Sequence, residues 1–295
     1  MSTKSPTVSG ARTAPAEAAF APERHVYEPH RVGLPPLRFY IREAWRRRHF
    51  AREMSRTQLR AQHFNTALGQ LWLVINPLLL TLVYFVLVDI LRNGTRGTEY
   101  FAHLMVGLFA YHYFSQSVQH GTKSVVGGGR LILNTAFPRV LLPLSSVITG
   151  FWRFLPTMAI YAIVHLVAGL PIGPALLWAI PIFALLTVFT AGVTMLLSAL
   201  QVYFRDVKSF LPYALRIWMY GSPVLYYLHE VPDKFQWLMT INPMAPILGA
   251  WSQAINEAQT PDTDLLLGSL AWAVAALVIG GLFFIARERE FAVRL

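Results

Sequence analysis

The stretch YFRDVKSF, residues 203–210, places Arg205, Asp206 and Lys208 between two long apolar runs. A helix rises about 1.5 Å per residue, so about 20 mainly apolar residues cross a bilayer core about 30 Å thick. Each of the two runs is long enough to do so. Because charged side chains are costly inside a bilayer, YFRDVKSF is predicted to form a tight turn at the membrane surface.

The composition of the chain indicates an integral membrane protein. Of its 295 residues, 55% are hydrophobic and 14% are charged, and the mean hydropathy is +0.44. This apolar fraction exceeds that of an ordinary soluble domain. The formal charge of +10 would also fit a nucleic-acid-binding protein, unless the basic residues sort by membrane side. The absence of cysteine excludes disulfides, thiolate metal sites and Cys nucleophiles.

Six stretches are long and apolar enough to be transmembrane helices. The second is short and aromatic, and the fifth is interrupted by Pro212 and Pro223. The predicted fold class is therefore all-α integral membrane, with six spans preceded by an amphipathic interface helix. The six predicted spans are residues 71–91, 101–118, 144–170, 175–202, 209–227 and 265–286.

The basic residues sort by side when the N-terminus is placed inside. Twenty of the 25 Lys and Arg residues then lie on the inner side. Arg92, Arg96 and Lys234 lie outside, and Arg153 and Arg216 fall within spans. Because basic residues are enriched in cytoplasmic loops, this bias predicts that both termini and the YFRDVKSF turn are cytoplasmic. It argues against nucleic-acid binding.

Three domains are predicted: a flexible cytoplasmic tail over residues 1–36, an amphipathic interface region over 37–68 and a transmembrane domain over 69–295. In the second, a mainly basic stripe and an apolar stripe fall on opposite faces of one helix. Such a helix binds anionic lipid or a protein partner, or it serves only as a topology anchor. Gly69 allows a steep turn into the first span. The basic stripe is at positions 46, 49, 53, 56, 60 and 63, and the apolar stripe is at 50, 54, 57, 61, 64 and 68.

Residue patterns typical of catalysis are absent from the sequence. It contains no paired carboxylates in the spans, no HExxH motif and no GxxxxGK[ST] phosphate loop, so no catalytic or metal residues are proposed. HGTKS at 120–124 and GGGR at 127–130 are instead breaks around a short surface helix predicted over about 122–136. Arg153 lies deep in a span and is predicted either to form an ion pair or to bind a passing phosphate. The span histidines are interpreted as packing residues.

Aromatic residues are concentrated in predicted spans one, two and five. They fit either an interfacial aromatic belt or a path along which sugar rings slide. The residues proposed for such a glycan path are Tyr84, Phe85, Tyr111, Tyr113, Phe114, Trp218 and Tyr220.

Four motifs in order resemble the permease subunit of type-two polysaccharide ABC exporters, which move O antigens, teichoic acids and related lipid-linked glycans. The resemblance covers about residue 40 to the C-terminus. The motifs are LRAQHFNTALGQLWLVINPLLLTLVYFVLV, LILNTAFPRVLLPLSSV, LSALQVYFRDVKSFLPYALRIWMYGSPVLY and INPMAPIL.

The resemblance implies a homodimer in the bacterial inner membrane that works with two copies of a cytoplasmic ABC ATPase. ATP and magnesium would bind that partner, with no cofactor in this chain. The cargo would be a polyprenyl-linked polysaccharide, with a cell-wall galactan as one candidate.

The resemblance also assigns roles to residues. The segment of residues 230–256 is similar to a pair of short re-entrant helices, and Leu68 and Gly69 match a turn near which the lipid headgroup enters, where Arg153 could bind its phosphate. We expect Arg205 or Asp206 to tie the YFRDVKSF turn to its neighbours. The residues expected to couple to the ATPase are Arg56, Arg60, Lys123, Arg130, Asn134, Arg205 and Asp206.

Two other function classes remain open from the residues alone. A membrane glycosyltransferase or acyltransferase acting on lipid-linked sugars would need an acidic or histidine cluster at the membrane surface. An ion-coupled carrier would need internal repeats and paired carboxylates in the spans, where Asp89 is the only acidic residue.

Overall fold

The computed structural model describes residues 36–61, 69–91, 93 and 97–295. The predicted tail up to residue 35 and Leu68 lie outside the described residues. Every regular element in the described part of the chain is helical. The helices are α1 Leu37–Arg46, α2 Arg48–Ala61, α3 Trp72–Leu91, α4 Thr98–Gly127, α5 Gly129–Asn134, α6 Leu141–Val167, α7 Ala179–Tyr203, α8 Val207–Tyr220, α9 Gln236–Ile241, α10 Met244–Ile255, α11 Thr263–Arg287 and α12 Phe291–Arg294.

Four helical segments in the described ranges are long and apolar enough to cross a membrane. They coincide with predicted spans one, three, four and six, so the chain is a multi-pass membrane protein. Their bounds are Trp72–Leu91, Leu141–Val167, Pro174–Tyr203 and Thr263–Arg294.

Predicted span two is part of the longer helix α4, which has 30 residues and is therefore about 45 Å long. Its length is sufficient for a span, but its composition is less apolar than that of the other four. The reason is its position: α4 packs against α3, α6, α7, α8 and α10 at the centre of the bundle. Because protein rather than lipid surrounds α4, its surface can carry polar and small side chains.

Predicted span five is wrong at its outer end. Helix α8 ends at Tyr220 instead of residue 227, and its 14 residues give a length of about 21 Å. The helix stops because Gly221 follows and because Pro223 has no N–H to continue the hydrogen-bond ladder.

The amphipathic region forms two helices, α1 and α2, rather than the single helix predicted. The chain breaks at Arg47, and α2 packs against α6. The buried face of α2 runs through Ala51 and Ser55, whereas Thr57 of the predicted apolar stripe is exposed. Phe50 and Met54 of the stripe do pack against protein, so the predicted stripe is offset from the centre of the buried face, where α2 presents small and hydroxyl side chains.

The predicted surface helix over 122–136 is also corrected. Helix α4 continues to Gly127, and only Gly129–Asn134 forms a separate helix. The break falls at Gly128, where a Cβ would lie 3.0 Å from the Ser124 carbonyl oxygen and 3.1 Å from the Leu142 side chain. A residue with a side chain would therefore crowd this corner.

Helices α7 and α11 pack backbone to backbone at two glycines. A Cβ on Gly192 would lie 2.3 Å from the Ala276 carbonyl carbon, and a Cβ on Gly280 would lie 2.0 Å from the Gly192 carbonyl oxygen. The two backbones are therefore in direct contact, as glycines allow between membrane helices.

A separate apolar cluster ties together one end of the bundle, which we call the inner end. It joins α5, the inner halves of α6 and α7, and the C-terminal segment. The opposite, outer end holds α9 and the start of α11. The inner end thus gathers the segments that were predicted to be cytoplasmic. The buried members of the cluster are Val125, Ile132, Val140, Leu142, Met195, Ala199, Val202, Phe284 and Phe291.

Candidate functional site

Two adjoining cavities open between α4 and α6 and share Gln116, His120, Gly150 and Arg153. One has a volume of about 370 Å³ and is bounded on α3 by Trp72 and Asn76. The other has a volume of about 290 Å³ and reaches Gln58 of α2. We refer to the two together as the basic cleft. The polar side chains that define it are Gln58, His112, Gln116, His120, Lys123 and Arg153.

Helix periodicity places the cleft residues on one face of α4. His112, Gln116 and His120 are spaced four apart, and Lys123 follows three residues later, so all four share one side of the helix. This stripe was visible in the sequence, but His112 was interpreted there as a packing residue and His120 was placed only in a helix break.

Arg153 faces this stripe from α6. One turn before it, Gly150 lets the two helices approach: a Cβ there would lie 2.0 Å from the Ser117 hydroxyl oxygen and 3.2 Å from the Tyr113 ring. Arg153 therefore lines both cavities together with His120. The contact of α4 with α6 brings together two basic groups that lie far apart in sequence.

The chemistry of the cleft favours an anion. Among its described lining residues, Lys123 and Arg153 are cationic, two histidines offer ring N–H groups, and none carries a carboxylate. A guanidinium and neighbouring N–H donors match the oxygen atoms of a phosphate, and such hydrogen bonds are stronger away from bulk water. The cleft is thus suited to a phosphate-bearing group.

Helix α2 borders the inner mouth of the cleft. The Thr149 hydroxyl of α6 is 2.9 Å from the Ser55 hydroxyl and 3.0 Å from the Gln58 side-chain oxygen. These contacts hold the polar face of α2 beside the cleft. A ligand that arrives at the inner surface would meet Gln58 before it meets Arg153.

The predicted headgroup residues are only partly described. Gly69 has a φ of +49°, a left-handed conformation that favours glycine. It begins the short turn Gly69–Leu71 that leads into α3, whose Trp72 lines the cleft. Gly69 and Arg153 therefore belong to the same region of the bundle, and Leu68 lies outside the described residues.

The residues predicted to couple to an ATPase occupy three places. Arg130 and Asn134 are exposed on α5, and Arg205 and Asp206 are exposed on the neighbouring turn at the inner end. Lys123 instead lines the basic cleft. The exposed face of α2 carries Arg56 and Arg60.

Arg205 connects the YFRDVKSF turn to a neighbouring segment, as we expected of Arg205 or Asp206. Its guanidinium donates a 3.1 Å hydrogen bond to the carbonyl oxygen of Arg294 in α12. Sequence reasoning missed Gln201, whose buried amide donates to the Arg205 carbonyl at 2.8 Å and accepts from the Lys208 N–H at 2.7 Å. A single glutamine in the apolar run just before the turn was the available signal.

The predicted glycan-path residues separate into two groups. Tyr111, Tyr113 and Phe114 are buried within the bundle, where Phe114 packs against Trp218 with 5.4 Å between ring centroids. Tyr113 also lines the basic cleft. Tyr84, Phe85 and Tyr220 lie closer to the surface of the bundle.

Tyr84 and Tyr220 connect α3 to the outer end of α8. Their hydroxyl oxygens are 3.1 Å apart, and their rings meet edge to face. Next to them, α8 exposes Tyr213 and Ile217 on one face together with Arg216.

The segment of residues 230–256 forms two helices, α9 and α10, joined at Asn242. The Asn242 side-chain oxygen accepts hydrogen bonds from the Trp218 indole at 2.8 Å and the Met244 N–H at 3.0 Å. Its amide donates to the Gly221 carbonyl at 2.7 Å. One side chain therefore joins the helix pair to the end of α8.

Comparison with known proteins agrees with this architecture. Residues 51–255, more than half of the chain, match the sequence model of the ABC-2 type transporter family. The chain belongs to this family. ABC-2 type transporter permeases are transport subunits that work with an ABC ATPase, and this chain is such a subunit. The match favours transport over a membrane enzyme or an ion-coupled carrier.

Relatives similar to this ABC-2 type transporter are named O-antigen export system permease protein RfbA. One from Klebsiella pneumoniae is 31% identical over 194 residues, which cover 65% of this chain and 74% of the relative. One from Myxococcus xanthus is 28% identical over 259 residues, covering 85% of this chain and 97% of the relative. The predicted resemblance to permeases of polysaccharide ABC exporters is confirmed.

Proposed function

We propose that this chain is the transmembrane subunit of an ATP-driven exporter that moves a lipid-linked polysaccharide to the outer side of the bacterial inner membrane. Two copies form the transport path, and two ATPase subunits at the inner end bind ATP and magnesium. The observation that carries the proposal is the basic cleft, in which Arg153 and His120 face each other between helices that reach the inner surface. The names of the O-antigen export relatives support the substrate class.

In the proposed topology, α4 and α8 complete a set of six spans. Helix α4 crosses as the protein-surrounded central helix, while α8 crosses and is tied by Trp218 to Asn242, which joins the short helices α9 and α10. These two helices re-enter the membrane from the outer side. The hydrogen bonds of Asn242 support this arrangement because they satisfy the Gly221 carbonyl at the end of α8 and the Met244 N–H at the start of α10. Both termini are cytoplasmic.

The diphosphate of the lipid carrier enters beside Gly69 and binds in the basic cleft. Arg153 and the histidines of α4 supply the donors, and Gln58 lies at the mouth. No described lining residue carries a carboxylate that would repel the phosphate oxygens, and Lys123 and Arg153 supply positive charge.

Coupling to ATP hydrolysis takes place at α5 and the YFRDVKSF turn. Both expose polar side chains at the inner end. They also expose apolar side chains, since Leu133 is 61% exposed and Phe204 is 64% exposed. Mixed apolar and charged surface is typical of protein contacts. Arg205 is hydrogen-bonded to α12, and α12 also contacts α5. A movement of either α5 or the YFRDVKSF turn is therefore transmitted to the other.

The second copy packs beside the exposed faces of α3 and α8. Arg216 lies on this face between Tyr213 and Tyr220, and a charged residue between aromatic groups is better accommodated by a polar path than by lipid. Tyr84, Phe85 and Tyr220 supply aromatic surface for sugar rings. A cell-wall galactan is the specific glycan that we expect.

Co-expression with the ATPase encoded beside the chain tests the proposal. The two chains should purify as a complex, and transport of lipid-linked glycan into proteoliposomes should require both chains and ATP. A chain that does not associate with the ATPase, or that transfers sugar or acyl groups on its own, would refute the proposal.

A further inference from the structure

A second polar cavity lies at the outer end of the bundle, far from the basic cleft. Its volume is about 530 Å³, and we call it the outer cavity. Helices α9, α10 and α11 form its walls together with residues 227–231. Its size falls in the range of about 300–1,000 Å³ typical of small-molecule sites.

The lining chemistry of the outer cavity is opposite to that of the basic cleft. Glu257, Asp262 and Asp264 contribute carboxylates, and Gln236 and Gln253 contribute amides. None of its described lining residues is Lys or Arg. A phosphate would therefore be repelled, whereas uncharged hydroxyl groups could donate to the carboxylates and accept from the amides.

Aromatic rings form part of the wall. The Tyr227 ring lies 3.9 Å from the His103 ring and stacks on the His229 ring at 5.2 Å, measured between centroids. Trp272 of α11 also lines the cavity. Flat apolar faces beside hydroxyl-binding groups suit a sugar ring, which has both C–H faces and hydroxyl edges.

Hydrogen bonds hold the polar groups of the cavity in place. The Gln253 amide donates to the Asp262 carboxylate at 2.7 Å, and the Asp262 N–H donates back to the Gln253 oxygen at 3.0 Å. His103 is 2.9 Å from the Ser252 hydroxyl. Burial raises the pKa of the Glu257 carboxyl, an effect that nearby Asp262 reinforces and His229 opposes. The cavity is therefore formed before any ligand arrives.

We propose that the outer cavity binds a short uncharged segment of the exported glycan as it leaves the transport path. This proposal rests on the proposed function, because it assumes that a glycan crosses the bilayer beside this subunit. The two cavities then divide the substrate by charge: the basic cleft receives the diphosphate at the inner side, and the outer cavity receives neutral sugar. Binding at the exit would hinder the glycan from sliding back.

Site-specific photocrosslinking in cells tests the proposal. A photoreactive phenylalanine analogue is introduced at Thr240, which lines the cavity, and in a matched control at Ile279, which is 60% exposed on α11. The full chain is expressed with its ATPase in cells that synthesise the glycan. We expect glycan crosslinks at position 240 and none at 279, and they should disappear when glycan synthesis is blocked.

Two further variants test the chemistry of the cavity. Glu257→Gln combined with Asp264→Asn removes two acceptor charges while it keeps side-chain shape, and it should lower crosslinking at position 240 roughly tenfold. Trp272→Phe keeps an aromatic face and should lower it less. Normal export without crosslinks at 240 would overturn the outer site alone. If cells that synthesise the glycan and express the wild-type chain with its ATPase do not export the glycan, the proposed function itself would be overturned.

Discussion

The backbone N–H of Arg139 donates a 2.7 Å hydrogen bond to the carboxylate of Glu288, which lies 149 positions later in the chain. The same carboxylate accepts a hydrogen bond from the Tyr40 hydroxyl, and the Arg139 guanidinium donates to the Glu288 carbonyl. Glu288 thus joins the first interface helix, the turn that follows α5 and the C-terminal segment. In the proposed transporter, it connects the elements on which the ATPase acts.

Replacing Glu288 should loosen this junction. Glu288 is 8% exposed, and Glu288→Ala would leave partly buried donors on Tyr40 and Arg139 without their acceptor, at a cost of about 1 kcal/mol each. We expect a lower unfolding temperature of the purified permease and weaker ATP-driven transport. Tyr40→Phe removes a single donor and should cost about 1 kcal/mol. Equal unfolding temperatures for Glu288→Ala and wild type would contradict the prediction.

Arg205→Ala should weaken coupling without preventing assembly. The substitution removes the hydrogen bond to the Arg294 carbonyl but leaves the Gln201 contacts that shape the turn. We therefore expect the ATPase to bind as before, while transport per ATP hydrolysed falls. Lys208→Ala is the matched control, since it removes a positive charge from the same turn while the backbone N–H of residue 208 still donates to Gln201. Equal transport by both variants would show that the Arg205 contact is dispensable.

Hydropathy predicted the positions of the helices whose outer surfaces face lipid. It predicted the bounds of α4 and α8 less accurately. Helices α3, α6, α7 and α11 are apolar because lipid surrounds much of each one, so their sequences identify them. Helix α4 is surrounded by protein, and its composition reflects its neighbours instead. The early end of α8 depended on the local sequence Gly221-Ser222-Pro223, which a count of apolar residues overlooks.

The candidate site was predictable only in part because it combines helices distant in sequence. The His112, Gln116 and His120 stripe follows from helical periodicity, but the partner that faces it does not. Arg153 was identified as functional from its depth in a span, yet only packing at Gly150 brings it to α4. The Tyr40 and Glu288 contact spans 248 positions and left no pattern in the sequence.

Neutralising the basic cleft should reduce export strongly. Arg153→Gln removes the bidentate donor proposed for the lipid diphosphate, and the loss of such a charged hydrogen bond costs about 1.5–3 kcal/mol, or roughly 10-fold to 150-fold in affinity. Arg153→Lys keeps the charge and should have an intermediate effect. The measurement is uptake of lipid-linked glycan by proteoliposomes at limiting substrate.

Arg52, an arginine outside the cleft, provides the control for the loss of one positive charge. Arg52 is exposed on α2 and does not line the cleft, so Arg52→Gln changes the net charge equally without touching the site. Its uptake should stay close to that of wild type. If Arg52→Gln and Arg153→Gln reduce uptake to the same extent, a general charge effect explains the result and the cleft has no special role.

Adding one methyl group between α7 and α11 should destabilise the bundle. The Cβ of Gly280→Ala would lie 2.0 Å from the Gly192 carbonyl oxygen, so the two helices must separate, and overpacking typically costs about 1–3 kcal/mol. Gly281→Ala is a neighbouring control, because its Cβ would meet only the end of the Met195 side chain at 3.7 Å. We expect Gly280→Ala to lower both the yield and the unfolding temperature of the purified permease, and Gly281→Ala to leave them unchanged or raise them slightly. Equal unfolding temperatures for the two variants would mean that the backbones of α7 and α11 are not in contact.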